Sequence, residues 1–422
     1  MRFDYWKRFS LKNFKKKKFW NNIDIVIWIV PFLLVHLSCF LIASTQRNLG
    51  ITDWYQHAIM SYIGSLIVYF LAQIPLQDLR KFIFLIYFIT ILMLLYVKFG
   101  GVSALGAQRW FGFAGFNIQP SECSKISLIL ILASILDQKR FSGLSNVLKP
   151  LIVVFVPWVL VFLQPDLGTS LVFGSILLGM LYWSGMPYEW AFIILAAFLT
   201  GLLAFLYQFG LVIWIPVVGY MAYKSLPNKK ISTLFTIFSH VLIAKFTPWF
   251  WENVLKDYQR NRLMIFLDPS QDPLGGGYHM LQSKIGIGSG GLIGTGLLQG
   301  QLTKLKFIPE QHTDFIFSAL GEETGFLGTS LVLILFFILI FRLIKISVAA
   351  RTDFESLVVI GIASMFIFQI MVNIFMTIGL GPVTGIPLPF MSYGRTALLV
   401  NFISLGLCLS VSRRGQSKRK YL

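Results

Sequence analysis

Two aspartates stand beside a run of glycines in the stretch FLDPSQDPLGGGYHMLQSKIGIGSGG, residues 266–291. Asp268 and Asp272 each precede a proline, which favours extended backbone and makes a turn-forming role the default for either one. Only the Asp-Pro pair at Asp272 leads into Leu-Gly-Gly-Gly-Tyr. A carboxylate beside a glycine-rich, phosphate-binding nest could accept a proton from an attacking sugar hydroxyl while pyrophosphate leaves. The pattern therefore offers a general base at Asp272 as an alternative to the default turn-forming role.

The same stretch contains GIGSGG, residues 286–291, which satisfies G-x-G-x-x-G. No buried strand precedes it, so its context excludes a dinucleotide site. Glycines between 275 and 296 would let backbone amides approach a phosphate closely, and the basic residues Arg262 and Lys284 fit an anionic headgroup. The alternative interpretation is a flexible loop without a ligand.

Polar residues interrupt the apolar sequence at further points, and ionisable groups at membrane depth are costly enough to suggest a function. In GAQRWFGFAGFNIQPSECSK, Arg109, Glu122 and Lys125 could converge on a ligand. Glu122 and Lys125 are three residues apart on a predicted helix, so a buried ion pair is an equal alternative. In QPDLGTS, Asp166 could either cap a helix or belong to the site.

Two more polar segments lie near the C-terminal half of the chain. PEQHTDFIFSALGEETG places His312 and Asp314 at the start of an apolar run, where Thr313 or Asp314 could cap the helix. Glu322 and Glu323, more than two turns into that helix, need partners. GPVTGIPLPFMSYGRT contains three prolines and three glycines, which predicts a packed loop that lines protein or a water-filled cavity.

Membrane-spanning helices must position these groups. The chain is 56% hydrophobic with a mean hydropathy of +0.73, and only 13% of its residues are charged, about half the share of a soluble domain. Its three cysteines fall inside apolar runs, which excludes a disulfide framework. Twelve apolar runs are candidate spans: 25–44, 58–74, 82–99, 119–136, 150–165, 167–184, 190–208, 209–223, 232–250, 315–341, 356–379 and 395–412.

The placement of Lys and Arg predicts the orientation. If the N-terminus is cytoplasmic, two thirds of the 36 basic residues lie in short inner segments and in the tails 1–24 and 413–422. The segment 251–313 then lies outside, and at about 60 residues it largely escapes the charge rule. Basic residues spread in this way exclude a nucleic-acid surface and fit anionic lipid. We predict an all-α, polytopic transmembrane bundle of about 10 to 12 spans, with both termini cytoplasmic and a large extracellular loop between its halves.

Five motifs in this order resemble the SEDS family (shape, elongation, division and sporulation), and within it the RodA branch. The resemblance covers roughly residues 75–412. The motifs are QRWFGFAGFNIQPSE, QPDLGTS, DPLGGGYHMLQSKIGIGSGGLIGTG, FIPEQHTDFIFSALGEETGFLG and GPVTGIPLPFMSYG.

The resemblance implies a peptidoglycan glycosyltransferase of the bacterial inner membrane that polymerises lipid II with a class B penicillin-binding protein. Residues 25–412 would form its transmembrane domain and 251–313 its catalytic loop. Asp272 would be the general base on the acceptor GlcNAc hydroxyl, with lipid-linked pyrophosphate as the leaving group. A divalent cation, Mg²⁺ or Mn²⁺, or basic residues would assist, and no organic cofactor is expected. The expected substrate contacts are Arg109, Glu122, Lys125, Asp166, Arg262, Lys284, His312 and Ser392.

Two alternatives stay open: a flippase for lipid II or a related polyprenyl-linked sugar, and a non-catalytic scaffold of the elongation machinery. Two features depart from the family pattern. Arg395 follows SYG where a second glycine is usual, and apolar residues between 201 and 250 exceed the ten spans typical of the family. An inserted pair of spans would keep the catalytic loop outside. The short tails favour a role in elongation over division or sporulation.

Overall fold

A computed structural model describes residues 23–46, 52–104, 107–113, 116–137, 145–269, 272, 275–305, 307 and 310–415. Most of the two predicted tails, residues 1–22 and 416–422, lies outside these ranges. The helices are α1 (Ile25–Gln46), α2 (Asp53–Leu71), α3 (Leu76–Leu79), α4 (Ile83–Gly100), α5 (Pro120–Leu136), α6 (Ser145–Leu163), α7 (Leu167–Trp183), α8 (Tyr188–Leu206), α9 (Leu211–Ser225), α10 (Lys229–Asn253), α11 (Asp257–Leu267), α12 (Gly276–Ser289), α13 (Gln301–Leu305), α14 (Ile316–Val348), α15 (Asp353–Ile378) and α16 (Arg395–Gly415).

Each of the twelve apolar runs coincides with a helix, which confirms the predicted helical class. Within the described ranges, seven helical segments are long and apolar enough to cross a membrane, and α6 and α7 are shorter apolar helices. The segment 251–313 is more regular than the predicted loop, because α11, α12 and α13 lie within it.

The centre of the bundle is formed by α5, α15 and α16. Almost every residue of α5 is buried, including its serines, and both α15 and α16 are buried over most of their length. Helix α15 packs against α7 and α14, and α16 packs against α2. The loop from Gly381 to Gly394 joins α15 to α16, so two of these buried helices hold its ends.

A short antiparallel sheet joins α4 to α5, which the sequence analysis did not predict. Its strands are β1 (Val102–Ala104), β2 (Ala107–Phe113) and β3 (Phe116–Ile118), in the order β1-β2-β3. Strand β2 carries Arg109 and pairs Phe111 with Ile118. The sheet therefore holds Arg109 on an ordered segment directly before α5.

Helix α14 is broken at Gly325, whose φ of 63° and ψ of −162° are not helical. The segment 290–296, which we call the glycine turn, fills the break. The amides of Thr295 and Gly296 donate to the carbonyls of Glu322 and Glu323, both at 3.0 Å. In the opposite direction, the amides of 326 and 327 donate to carbonyls of 291 and 292, at 2.9 and 3.0 Å. The backbone groups freed by the break are thus satisfied, as a buried chain requires.

Glu322 and Glu323 both have hydrogen-bond partners, as the sequence analysis predicted. Glu322 accepts from the amides of Leu302 and Thr303, at 2.8 and 2.9 Å, and from the Thr303 hydroxyl at 2.6 Å. Glu323 accepts from the Leu298 amide at 3.0 Å and from the Ser44 hydroxyl. Both carboxylates therefore hold the segment after α12 against α14.

Gly294→Ala should destabilise the protein by at least about 1–3 kcal/mol, because Gly294 has a φ of +80° that side chains rarely adopt. A Cβ there would also lie 2.2 Å from the carbonyl oxygen of Glu323. The matched control is Gly288→Ala: Gly288 is helical and has open space at its Cβ position, so stability should rise by about 0.4–1 kcal/mol. Thermal unfolding of both variants in detergent is the measurement. Equal melting temperatures would show that the glycine turn does not need its observed conformation.

Candidate active site

Asp272 lies at the beginning of α12, where its carboxylate meets the N-terminus of the helix. Its Oδ2 accepts a hydrogen bond from the amide of Gly276 at 2.9 Å. Its Oδ1 has no hydrogen bond within the part of the chain that the structure describes. The positive end of a helix stabilises a carboxylate, so one oxygen is anchored while the other can receive a proton. This arrangement suits a general base.

The Gly-Gly-Gly run makes room for Asp272 itself. A Cβ on Gly275 would lie 2.2 Å from Asp272 Oδ2, and one on Gly277 would lie 2.2 Å from the carbonyl oxygen of Pro269. Downstream, the amides of 291, 294, 295 and 296 all donate to protein carbonyls. These four amides are therefore engaged within the protein and do not form an anion nest. The glycines serve close packing of the backbone.

A charged group gathers around Asp314, just before α14; with its neighbours Arg109, Asp166, Arg262 and Glu310 we call it the Asp314 cluster. Asp314 Oδ2 and a guanidinium nitrogen of Arg262 lie 3.4 and 3.5 Å from the position that a Cβ on Gly385 would occupy. The two side chains therefore approach the same point beside Gly385. Burial raises the pKa of Asp314 to about 6; Arg262 and Arg109 lower it, and Glu310 and Asp166 raise it. Charged residues from four separate segments of the sequence therefore lie near one another.

Helix α11 connects this cluster to Asp272. Ile265 lies 2.9 Å from the Cβ position of Gly276, at the start of α12. Arg262 precedes Ile265 by three residues, which places both on adjoining faces of one helix turn. A displacement of α11 would therefore move the Arg262 guanidinium and the support of Asp272 together.

Arg109 and Asp166 form the other side of the cluster. Arg109 Nε donates to the carbonyl of Gln164 at 3.4 Å, and its guanidinium also donates to the carbonyl of Pro165. Asp166 caps α7 by accepting from the Thr169 amide at 3.2 Å, which confirms the capping alternative. The Gln119 side chain donates to Asp166 at 3.3 Å, so the QPD turn is fixed from both sides.

Glu122 and Lys125 form the buried ion pair that their spacing suggested. Lys125 Nζ lies 2.6 Å from Glu122 Oε2, and the two side chains are 1% and 4% exposed. Both side chains belong to α5 and are buried in the helical bundle, so the pair has a structural role in this conformation. A substrate contact would require the surrounding helices to separate.

The remaining predicted contacts are Lys284, His312 and Ser392. Lys284 lies against Gly379 at the C-terminus of α15, where its charge complements the helix dipole. Ser392 accepts from the Leu388 amide at 2.8 Å and is buried in the loop before α16. His312 has its ring 5.8 Å from that of Tyr393, and its carbonyl accepts from the Tyr393 amide. These three residues hold segments of the outer layer together.

Comparison with known proteins decides the family. A family model described as FTSW_RODA_SPOVE, cell cycle protein, matches residues 20–217 and 226–417. The chain belongs to the SEDS family. Among SEDS relatives, the peptidoglycan glycosyltransferase MrdB of Escherichia coli K12 is 34% identical over 403 residues, which cover 94% of this chain and 96% of MrdB. The peptidoglycan glycosyltransferase RodA of Treponema pallidum is 35% identical and covers 77% of this chain and 81% of its own length.

A solved structure extends the SEDS likeness to three dimensions. It is titled "Structural coordination of polymerization and crosslinking by a peptidoglycan synthase complex" and superposes with a TM-score of 0.71 at 26% identity. The match covers 94% of this chain and 99% of that one. The likeness therefore extends over nearly the whole chain.

Metal binding was an expectation of the resemblance. The described residues contain no group of three or more His, Cys, Asp or Glu side chains that could hold a metal ion. These residues alone therefore supply no such ligand set, and the divalent cation stays a prediction of the resemblance.

Two groups at the SEDS site, Glu310 and His279, had no role predicted from the sequence. Asp314 was named as an ionisable group that suggests a function, with helix capping as the alternative. The cap prediction was wrong, because α14 begins after Phe315 without a side-chain cap. His279 lies close to Asp272; burial lowers the pKa of His279 and the Asp272 charge raises it. His279 lies one helical turn into α12. Its nearness to Asp272 could be predicted only if residues 276–289 were known to form a helix.

Asp314→Asn should raise the melting temperature at pH 8. The pKa of Asp314 in the folded state, about 6, lies above its ordinary value of 3.8. Between these values the folded state binds more protons than the unfolded state, so stability falls as the pH rises through this window. The neutral Asn avoids this loss, and the gain should shrink below pH 6 and vanish at about pH 4. Thermal unfolding from pH 4 to 8 measures it, and a gain independent of pH would contradict the raised pKa.

Proposed function

We propose that this protein is a peptidoglycan glycosyltransferase that polymerises lipid II into glycan strands during cell elongation. Asp272 is the general base in this proposal. The observation that carries it is the geometry of Asp272, with one carboxylate oxygen anchored to the N-terminus of α12 and the other without a hydrogen bond among the described residues.

The relatives support the enzyme class. The matched proteins of E. coli and T. pallidum are named peptidoglycan glycosyltransferases, and both match over most of their own length. The solved relative was studied as a peptidoglycan synthase complex. These names support glycosyl transfer by the present chain, in the inner membrane.

In the proposed reaction, the acceptor GlcNAc hydroxyl attacks the anomeric carbon of the donor sugar. Asp272 removes the hydroxyl proton as the new glycosidic bond forms, and the bond to the lipid-linked pyrophosphate breaks. Arg262 and Arg109 provide positive charge beside Asp314, where a diphosphate leaving group gains negative charge.

The partner in this proposal is a class B penicillin-binding protein, which would crosslink the strands. Both chain termini would be cytoplasmic, with 251–313 on the outer face, as the Lys and Arg distribution predicts. The elongation role rests on the RodA and MrdB relatives. Purification of the chain with its bound partner from cells would test this role.

Polymerisation by purified components tests the function. The full chain, reconstituted with its cognate penicillin-binding protein, should convert lipid II into glycan strands that gel electrophoresis resolves. A transpeptidase-inactive partner is the control, because it removes crosslinking and leaves polymerisation to be scored. Failure of the folded complex to polymerise would reject the proposal.

A lipid II flippase is the main rival, because a polar cavity within a helical bundle could serve either task. Vesicles that contain the folded protein and labelled lipid II distinguish the two. Under conditions that block polymerisation, lipid II should stay in its original leaflet if the proposal is correct. A scaffold would instead support growth of cells in which Asp272 is replaced.

A further inference from the structure

Helices α8, α9 and α10 form a unit at the edge of the bundle, which we call the α8–α10 unit. They pack mainly on one another, and α8 follows α7 in the bundle. At one end, Phe250 of α10 approaches Phe162 of α6, with ring centroids 5.8 Å apart. The unit contains the apolar residues 201–250 that exceed the ten-span pattern. The proposed glycosyl transfer assigns it no role.

A polar cluster ties the three helices together. Thr200 Oγ1 lies 2.6 Å from His240 Nδ1, and Trp214 Nε1 donates to Thr200 Oγ1 at 3.1 Å. Each helix supplies one member, and Thr200 and His240 are 0% and 2% exposed. Hydrogen bonds between apolar helices fix their mutual register, because an unsatisfied polar group there would be costly. The α8–α10 unit is therefore locked in one arrangement.

A pocket of about 300 Å³ opens one helical turn beyond this cluster. Ala204 and Ala244, four residues after Thr200 and His240, are among its lining residues. Four residues correspond to about 6 Å along a helix, so the polar cluster closes one end of the pocket. The small alanine side chains leave the space, and the hydrogen bonds keep it formed.

The pocket is apolar except for Lys245 and Gln208; Leu211 and Val241 are among its apolar lining. Lys245 belongs to α10, a helix apolar enough to cross a membrane. No hydrogen bond or ion pair joins Lys245 to another residue in the described ranges. A cation within such a helix is costly unless an anion accompanies it. The charge and the apolar walls together indicate a ligand with an anionic head and an apolar chain.

We propose that this pocket binds a membrane lipid with a phosphate head group. The phosphate would lie at Lys245 and Gln208, and the chain would extend along Leu211 and Val241. The pocket lies toward the end of α10 that leads directly into α11, which carries Arg262. The bound lipid would therefore lie on the same side of the bundle as Asp272. A phospholipid and a polyprenyl phosphate share this chemistry. The two are distinguished by measuring which one binds more tightly.

The test measures lipid binding to the full-length protein by native mass spectrometry, with no dependence on polymerisation. Phosphatidylglycerol, undecaprenyl phosphate and phosphatidylcholine are titrated separately. At least one of the two anionic lipids should bind more tightly than phosphatidylcholine, and the tighter of the two identifies the source. Lys245→Gln should weaken that binding about tenfold, as loss of a charge-assisted hydrogen bond predicts. Lys245→Arg should preserve it.

Lys224→Gln is the matched control, because Lys224 lies at the opposite end of α9, with its ammonium 4.9 Å from the centre of the Tyr220 ring. It should leave lipid binding unchanged. Thermal unfolding confirms that each variant folds. Equal binding of anionic lipids and phosphatidylcholine would overturn the proposal. So would unchanged binding in Lys245→Gln, or an equal loss in Lys224→Gln.

Discussion

Asp272→Asn should reduce lipid II polymerisation by about 10²- to 10⁴-fold without unfolding the protein. The amide oxygen of Asn can still accept the hydrogen bond from the Gly276 amide, so the start of α12 keeps its support. The side chain can no longer take a proton from the acceptor hydroxyl. Initial rates of glycan synthesis by the reconstituted complex measure the loss. Asp272→Ala should be as inactive, and less stable by about 0.5–1.5 kcal/mol, because it also removes the hydrogen bond to the Gly276 amide.

Asp268→Asn is the matched control, because Asp268 also precedes proline and lies four residues earlier. Asp268 ends α11 in extended conformation, which fits the turn role expected from its sequence. This variant should polymerise at a rate close to that of the wild type. If Asp272→Asn were as fast as the wild type, the general-base assignment would be wrong. If both variants lost activity equally, the loss would result from a changed conformation of the segment 268–272 and not from removal of one carboxylate.

Lys125→Met should destabilise the protein by about 3–5 kcal/mol, because it leaves the Glu122 carboxylate buried without its counter-ion. Thermal unfolding in detergent is the measurement. The double variant Glu122→Gln with Lys125→Met removes both charges, and it should recover most of the lost stability. A single variant as stable as the wild type would contradict the ion pair.

The activity of the same double variant separates two roles of the pair. If Glu122 and Lys125 only support the fold, the stabilised double variant should polymerise lipid II normally. If they contact substrate in another conformation, it should fold and remain inactive. Glu122→Gln alone provides the matched single variant for the double-mutant cycle.

Much of the architecture follows from hydropathy, because spans must be apolar and continuous whatever their neighbours are. All twelve apolar runs are helices for that reason. The polar elements between them were harder to predict. The sheet that carries Arg109 depends on pairing between short strands, and α12 begins inside a glycine run that local propensity would assign to a loop. Tertiary packing against α14 and α15 stabilises that helix.

The candidate site was partly visible in the sequence for a similar reason. Asp272 could be named from the glycine-rich segment that follows it, and Arg262 as a basic residue near that segment. Their relation to Asp314 could not, because it depends on how α11 folds back toward Gly385. Glu122 and Lys125 show the opposite case: their spacing alone contained the correct alternative, an ion pair. Contacts within one helix could be predicted from residue spacing. Contacts between distant segments could be seen only in the folded structure.

The break at Gly325 changes how α14 should be placed relative to the hydrocarbon layer. The part after the break, from Phe326 to Val348, is about 34 Å long at 1.5 Å per residue. That length alone exceeds the roughly 30 Å thickness of a bilayer interior. The part before the break therefore does not need to enter lipid, and Glu322 and Glu323 belong to the layer outside it. What hydropathy shows as one unusually long span is a complete span with a separate short helix above it.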